Sequence, residues 1–362
     1  MAHSSFDARD NRFRGVLRDC GWSLCVGAGI SIGLLPSWAE LSRRVLIRAL
    51  SVDLKEDSFS NLVRSLGWSF DAWIQTALNG FEARGGTPLE FAPLVEEALY
   101  APLLENARKR NLERQVVAAL NTPHLLSREE FANIYRFFED AYPQASVLPI
   151  AEVLNKGRIA GVLPHAVMTF NYDTLLETLV RMLEIREYAE RIGKHYHPET
   201  TYRRVTGPLL KGSRRIPFIY LHGCVTPKTP RKLSRSPHDS REKLVGPESS
   251  YAQLVGSPAN WPQTTFLSFA INGSLAIIGH SMSDPNLRRW LGWAAELRNR
   301  EISSRSGQSV KSLPHVWLTR RPSEPQHQVV LEKSLVHLGV RIAWIENWSE
   351  VGPALAHLLS LA

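Results

Sequence analysis

Asn171 and His222 stand 51 residues apart, each just past an apolar run that reads as a buried strand. They belong to the strings Thr169-Phe170-Asn171-Tyr172-Asp173 and Tyr220-Leu221-His222-Gly223. An Asn amide donates and accepts at once, so it can orient a water or a ribose hydroxyl. An imidazole with an ordinary pKa of about 6.5 can serve as general base, or simply as a structural group. Asp173 can accept from a carboxamide or a ribose, or cap the helix that follows. Gly27-Ala28-Gly29-Ile30-Ser31 also leaves a strand and enters a helix. Glycines at such a place let the backbone approach a pyrophosphate, and free N–H groups there can bind it. The third glycine of the dinucleotide fingerprint is out of register at Gly33, so a tight strand-to-helix turn is the competing reading. Gly279-His280-Ser281-Met282-Ser283-Asp284 follows a further strand, and its small residues could close over a phosphate or ribose. Asp284, before Pro285, is equally a helix cap.

The elements that must position these groups follow from the apolar pattern. Six short runs, at 22–26, 166–170, 217–221, 274–279, 315–319 and 340–345, are rich in aliphatic and aromatic residues with little alternation. That pattern fits strands buried on both faces of a parallel sheet. Between the first two runs lie about 140 residues of helical pattern, at 38–50, 59–78, 89–110, 111–121, 128–141 and 149–156, where a single crossover needs about a dozen. The expectation is an α/β fold: one domain over 1–362, a Rossmann-like parallel sheet of six strands, and no zinc ribbon. A helical subdomain is expected over 40–160, with the nucleotide-binding core from 15–39 and 161–362. Further helices are expected at 172–183, 287–298 and 348–361, and an irregular hairpin at 192–216.

The chain has 362 residues, 44% of them hydrophobic, which is ordinary for a globular core. No apolar run approaches the roughly 20 residues that span a bilayer, and the N-terminus lacks the pattern of a secretory leader. Three cysteines without paired spacing exclude a disulfide framework and a cysteine zinc site, and point to a reducing cytoplasm. The net charge of +8 is compatible with nucleic acid, an acidic partner or an anionic cofactor. The excess gathers at Arg203-Arg204, around 211–215 and across 228–243, where no aromatic residues interleave to stack bases.

Taken in order, these strings resemble the sirtuin superfamily. More narrowly, they resemble the sirtuin-like NADase domains of bacterial antiphage defence systems of the Thoeris and HerA-associated kinds. The resemblance runs over about 20–320. It rests on the Gly27 string, Leu35-Pro36-Ser37-Trp38, the Asn171 and His222 strings, Tyr251, and 278–287. Deacetylase sirtuins carry Asp-Phe-Arg where this chain has Pro36-Ser37-Trp38, and four zinc cysteines that it lacks. The resemblance therefore implies cleavage of NAD to nicotinamide and ADP-ribose, with no metal, rather than protein deacylation. It implies that Asn171 positions water or the ribose hydroxyls and that His222 acts as base or steers the ribose. Asp173 would hold the carboxamide, and Gly27, Ala28, Gly29 and Ser31 the pyrophosphate. Gly279, Ser281 and Asp284 would close over it, and Thr319 would approach the adenine ribose. A cytoplasmic effector of this kind implies control by homo-oligomerisation or by a partner such as a HerA-type ATPase. Nucleic acid would enter only indirectly, and no membrane. The alternative is a module that binds NAD or ADP-ribose and regulates a partner without turnover.

Overall fold

Residues Trp22–Val26, apolar but for one serine, form a strand buried along its whole length. The structure, a computed structural model, describes residues 5–19, 21–141, 144–192, 200–208, 213–227 and 260–361. Tyr251 and the basic segment 228–243 lie outside the described residues. The strands are β1 (Ser5–Asp7), β2 (Trp22–Val26), β3 (Val167–Thr169), β4 (Tyr202–Val205), β5 (Ile216–Tyr220), β6 (Ser274–Ile278), β7 (His315–Arg320) and β8 (Val340–Ile345). All pair in parallel in the order β1-β8-β7-β6-β2-β3-β5-β4.

The sheet thus has eight strands rather than six, and the two unexpected ones are its edges. β1 is three residues long, too short to show a period. β4 places Arg203 and Arg204 mid-strand, which edges tolerate and sequence patterns read as surface. The hairpin expected at 192–216 lies partly outside the described residues; the described part holds β4, which runs parallel to β5 from Tyr202↔Ile216 to Val205↔Ile219. Arg204 is held by a buried carboxylate, with Nε 2.7 Å from Glu177, which also accepts from the Tyr220 hydroxyl at 2.9 Å. Part of the basic excess is therefore neutralised by a buried carboxylate.

The inner six strands, β5-β3-β2-β6-β7-β8, have the chain order 3-2-1-4-5-6 of the doubly wound dinucleotide-binding fold. In that order the connections depart in opposite directions from the β2–β6 pair. A crevice for ligand opens there, beyond the carboxyl ends of the strands.

Between β2 and β3 run α1 (Trp38–Leu50), α2 (Glu56–Leu66), α3 (Phe70–Ala83), α4 (Pro88–Lys109), α5 (Glu113–Asn121), α6 (Arg128–Glu139) and α7 (Val147–Ile159). The helix expected at 59–78 is two helices. Gly67 closes α2 at φ +64°, and the Ser69 side chain caps α3 by accepting from the Ala72 N–H. After β3 come α8 (Leu175–Ile192), α9 (Trp261–Asn272), α10 (Pro285–Ser306), α11 (Pro325–Leu335) and α12 (Val351–Leu358). The side chains of α1–α8 and α12 form one continuous core with one face of the sheet, through Leu24, Val26, Val167 and Phe218. Cys25, Met168, Ile219 and Ile277 point to the other face, under α9–α11. Among the described residues no helix is long and apolar enough to cross a membrane.

Candidate active site

Two loops cross above the β2–β6 pair, and only glycine permits the crossing. The Gly27 N–H donates to the Ile278 carbonyl and the Gly29 N–H to the Gly279 carbonyl, both at 2.9 Å. A Cβ on Gly27 or Gly29 would stand 2.6 or 2.7 Å from the Gly279 oxygen. Gly279 itself has φ +73°, and a Cβ there would meet the Gly27 oxygen at 2.8 Å. This corrects the expectation of free donors: the N–H groups of Gly27 and Gly29 are engaged with backbone. What the glycines supply is close approach.

Beside the crossing, Asn171 stands two residues past the end of β3. Its N–H donates to Thr169 Oγ1 at 2.9 Å, and its side chain hydrogen-bonds the Asp173 carboxyl. Asp173 also accepts from the Leu175 N–H at 3.0 Å, so it caps α8 as well as facing the site. Burial pushes the Asp173 pKa up to about 6, against the hydrogen bonds that favour its charged form. A cavity of about 20 Å³, the size of one water, lies behind these residues and is lined by Ser31, Asn171 and Asp173. Ser31 Oγ and Asn171 Oδ1 are buried there with no hydrogen-bond partner among the described residues.

β5 delivers His222, 1% exposed, with its ring edge-on to Phe170 at 5.0 Å. Burial, and secondarily His280, lowers its pKa to about 3, so the imidazole is neutral near pH 7. His280 packs edge-on to the same Phe170 ring at 5.3 Å. Its Nε2 lies 3.6 Å from Cys25 Sγ, and its carbonyl accepts from Trp317 Nε1 at 3.1 Å. The Asn171 and His222 loops are stapled by one buried phenol. The Tyr100 hydroxyl donates to the Val225 carbonyl at 2.9 Å and accepts from the Thr174 N–H at 3.1 Å. Tyr100→Phe leaves two buried backbone groups unpaired, at about 1–3 kcal/mol each. A urea melt should report a clear fall in stability; an unchanged midpoint would show that the loops hold themselves.

A cleft of about 730 Å³ opens over these strand ends, within the usual range for a ligand site. Gly27, Ala28, Gly29, Asn171, His222, Gly279, Ser281, Asp284 and Thr319 line it. Ser31 and Asp173 face the adjoining small cavity, so all eleven residues expected from the sequence gather in one place. Asp284 also caps α10, accepting from the Asn286 and Leu287 N–H groups. The strand ends from β7 to β5 span four strand spacings, roughly 19 Å, a length suited to an extended dinucleotide. Sequence reasoning missed His280, whose signal was its place in the Gly279 string. It also missed the aromatic walls, Trp38, Trp68, Phe70, Trp317 and Trp348, which no local motif marks. Among the described residues no cluster of His, Cys, Asp or Glu is arranged to hold a metal.

Residues 165–338 match the family model of the SIR2-like domain. The matched span carries β3 to α11, and with them Asn171, Asp173, His222, the Gly279 string and Thr319. The match supports a sirtuin-like domain, a kind of domain that uses NAD. The Gly27 string lies outside the SIR2-like span but meets it at Gly279. No curated protein matches the chain.

Proposed function

We propose that the cleft binds NAD and cleaves it to nicotinamide and ADP-ribose. The observation that carries this reading is the convergence of Asn171, Asp173 and His222 on adjacent strand ends, beside the glycine crossing. A site only for binding needs no such set of desolvated polar groups: the three are 5%, 8% and 1% exposed. In the reaction the bond between the nicotinamide nitrogen and ribose C1′ breaks, and its electron pair neutralises the pyridinium. Water then adds to C1′ and gives up a proton. Asn171 orients the water or the ribose hydroxyls, Asp173 holds the carboxamide, and the dry walls exclude bulk water. His222 fits steering of the ribose better than proton abstraction, because its environment leaves the imidazole weakly basic.

The finer reading is an antiphage effector that depletes NAD in the cytoplasm. Such an enzyme needs restraint, which we assign to contacts made by residues 40–160, either between copies of the chain or with an ATPase partner. The test is incubation of the purified protein with NAD, alone and with the product of a neighbouring ATPase gene, reading free nicotinamide. Nicotinamide released in either condition is the expected result. Tight ADP-ribose binding with no nicotinamide in both would replace the enzyme by a regulatory binding module.

A further inference from the structure

One wall of the cleft comes from outside the SIR2-like span. The α2–α3 turn contributes Trp68, and the first turn of α3 contributes Phe70 and Asp71. Trp68 and Phe70 are 49% and 36% exposed, large rings left open at the mouth of a cavity. Trp68 is braced from behind by Trp73, with ring centroids 5.1 Å apart. One ring contact and one electrostatic effect tie this wall to the Asn171 end of the cleft. Trp38, which also lines it, packs edge-on against Tyr172 at 5.2 Å. Asp71 is near enough to Tyr172 that, behind the larger effect of burial, its charge raises the phenol pKa. The other aromatic end, Trp317 and Trp348, belongs to β7 and the turn after β8, three and four strands from β3.

The two rings of NAD differ in charge. Adenine is neutral, whereas the oxidised nicotinamide ring is a planar cation. Aromatic faces attract cations, Trp most strongly, and a carboxylate beside them adds to the attraction. We propose that the α2–α3 turn recognises the pyridinium of NAD⁺, with Trp68 and Phe70 covering the ring and Asp71 supplying the opposite charge. The inference rests on the NAD reading above and adds to it a discrimination between oxidised and reduced dinucleotide. The dihydronicotinamide of NADH carries no charge, so it forfeits the cationic attraction. Nicotinamide after cleavage is neutral too, so the same wall loosens its hold on the leaving group.

Calorimetric titration of the full chain with three probes tests this: the non-cleavable carbocyclic analogue of NAD⁺, NADH, and ADP-ribose. The wild type should bind the cationic analogue more tightly than NADH. Trp68→Leu and Phe70→Leu should each weaken the analogue by roughly 5- to 100-fold, the range of ring stacking and cation–π contacts. ADP-ribose should bind both variants as it binds the wild type, which also shows that they are folded. Unchanged affinity for the analogue, or an equal loss for ADP-ribose, overturns the proposal. A wild type that binds ADP-ribose but does not prefer the analogue over NADH overturns it as well, while leaving NAD binding intact. A wild type that binds none of the three removes the NAD reading itself.

Discussion

Asn171→Ala is expected to lower nicotinamide release by roughly 100-fold or more, in a protein that melts close to the wild type. The side chain is 5% exposed and hydrogen-bonded to Asp173, and its Oδ1 is buried without a hydrogen-bond partner among the described residues. Truncation therefore removes a group whose unused acceptor is already desolvated. An amide that only stabilised the fold would cost stability when removed, with the turnover of the remaining folded molecules unchanged. The measurement is thus paired: nicotinamide release per folded molecule, and the denaturation midpoint. Full turnover by Asn171→Ala would take Asn171 out of the chemistry.

The second large effect sets stability against function at one residue. Asp173→Asn should stabilise the protein near pH 7 by up to about 3 kcal/mol, and should lose activity. The figure follows from a pKa moved from 3.8 to about 6 at about 1.4 kcal/mol per unit. The sign follows from linkage. The folded state binds the proton more tightly than the unfolded chain does. The stabilisation from this group is therefore complete below pH 3.8 and is lost as pH rises through about 6. Asn removes the buried charge yet keeps an oxygen for the Leu175 N–H. If the carboxylate form holds the carboxamide, wild-type turnover should rise with pH through about 6 and then level, with no further inflection from His222 above pH 5. A variant no more stable at pH 7 than the wild type would mean that Asp173 is not charged at a cost there.

Much of this was legible in the sequence, for identifiable reasons. β2 and β8 match the expected runs residue for residue, because each is apolar but for one residue and bounded by polar or glycine turns. The strand-end polar residues were found because a strand exit is where apolar character stops. What escaped was decided by partners distant in sequence. Arg203 and Arg204 read as free surface cations until Glu177, 27 residues back, is seen to hold Arg204 half-buried against the sheet edge. α9 spreads its apolar residues around the whole helix and so shows no stripe to read. The role of Tyr100 depends on two loops about 75 and 125 residues further along the chain. The split between α2 and α3 was readable, since Gly67 and Ser69 are a stop and a start two residues apart.

The pairing of β2 with β6 joins Val26 to Ile278, and the glycine crossing sits directly on it. At about 5–20 residues per second, roughly 10 to 50 seconds of synthesis separate those two residues on the ribosome. Until β6 has emerged, the Gly27 loop has no Gly279 to meet and the cleft has no floor. Under the proposed function, a chain broken off before residue 278 lacks half of the crossing and is expected to release no nicotinamide. If the chain consumes NAD as proposed, this topology delays the activity until most of the chain has been made.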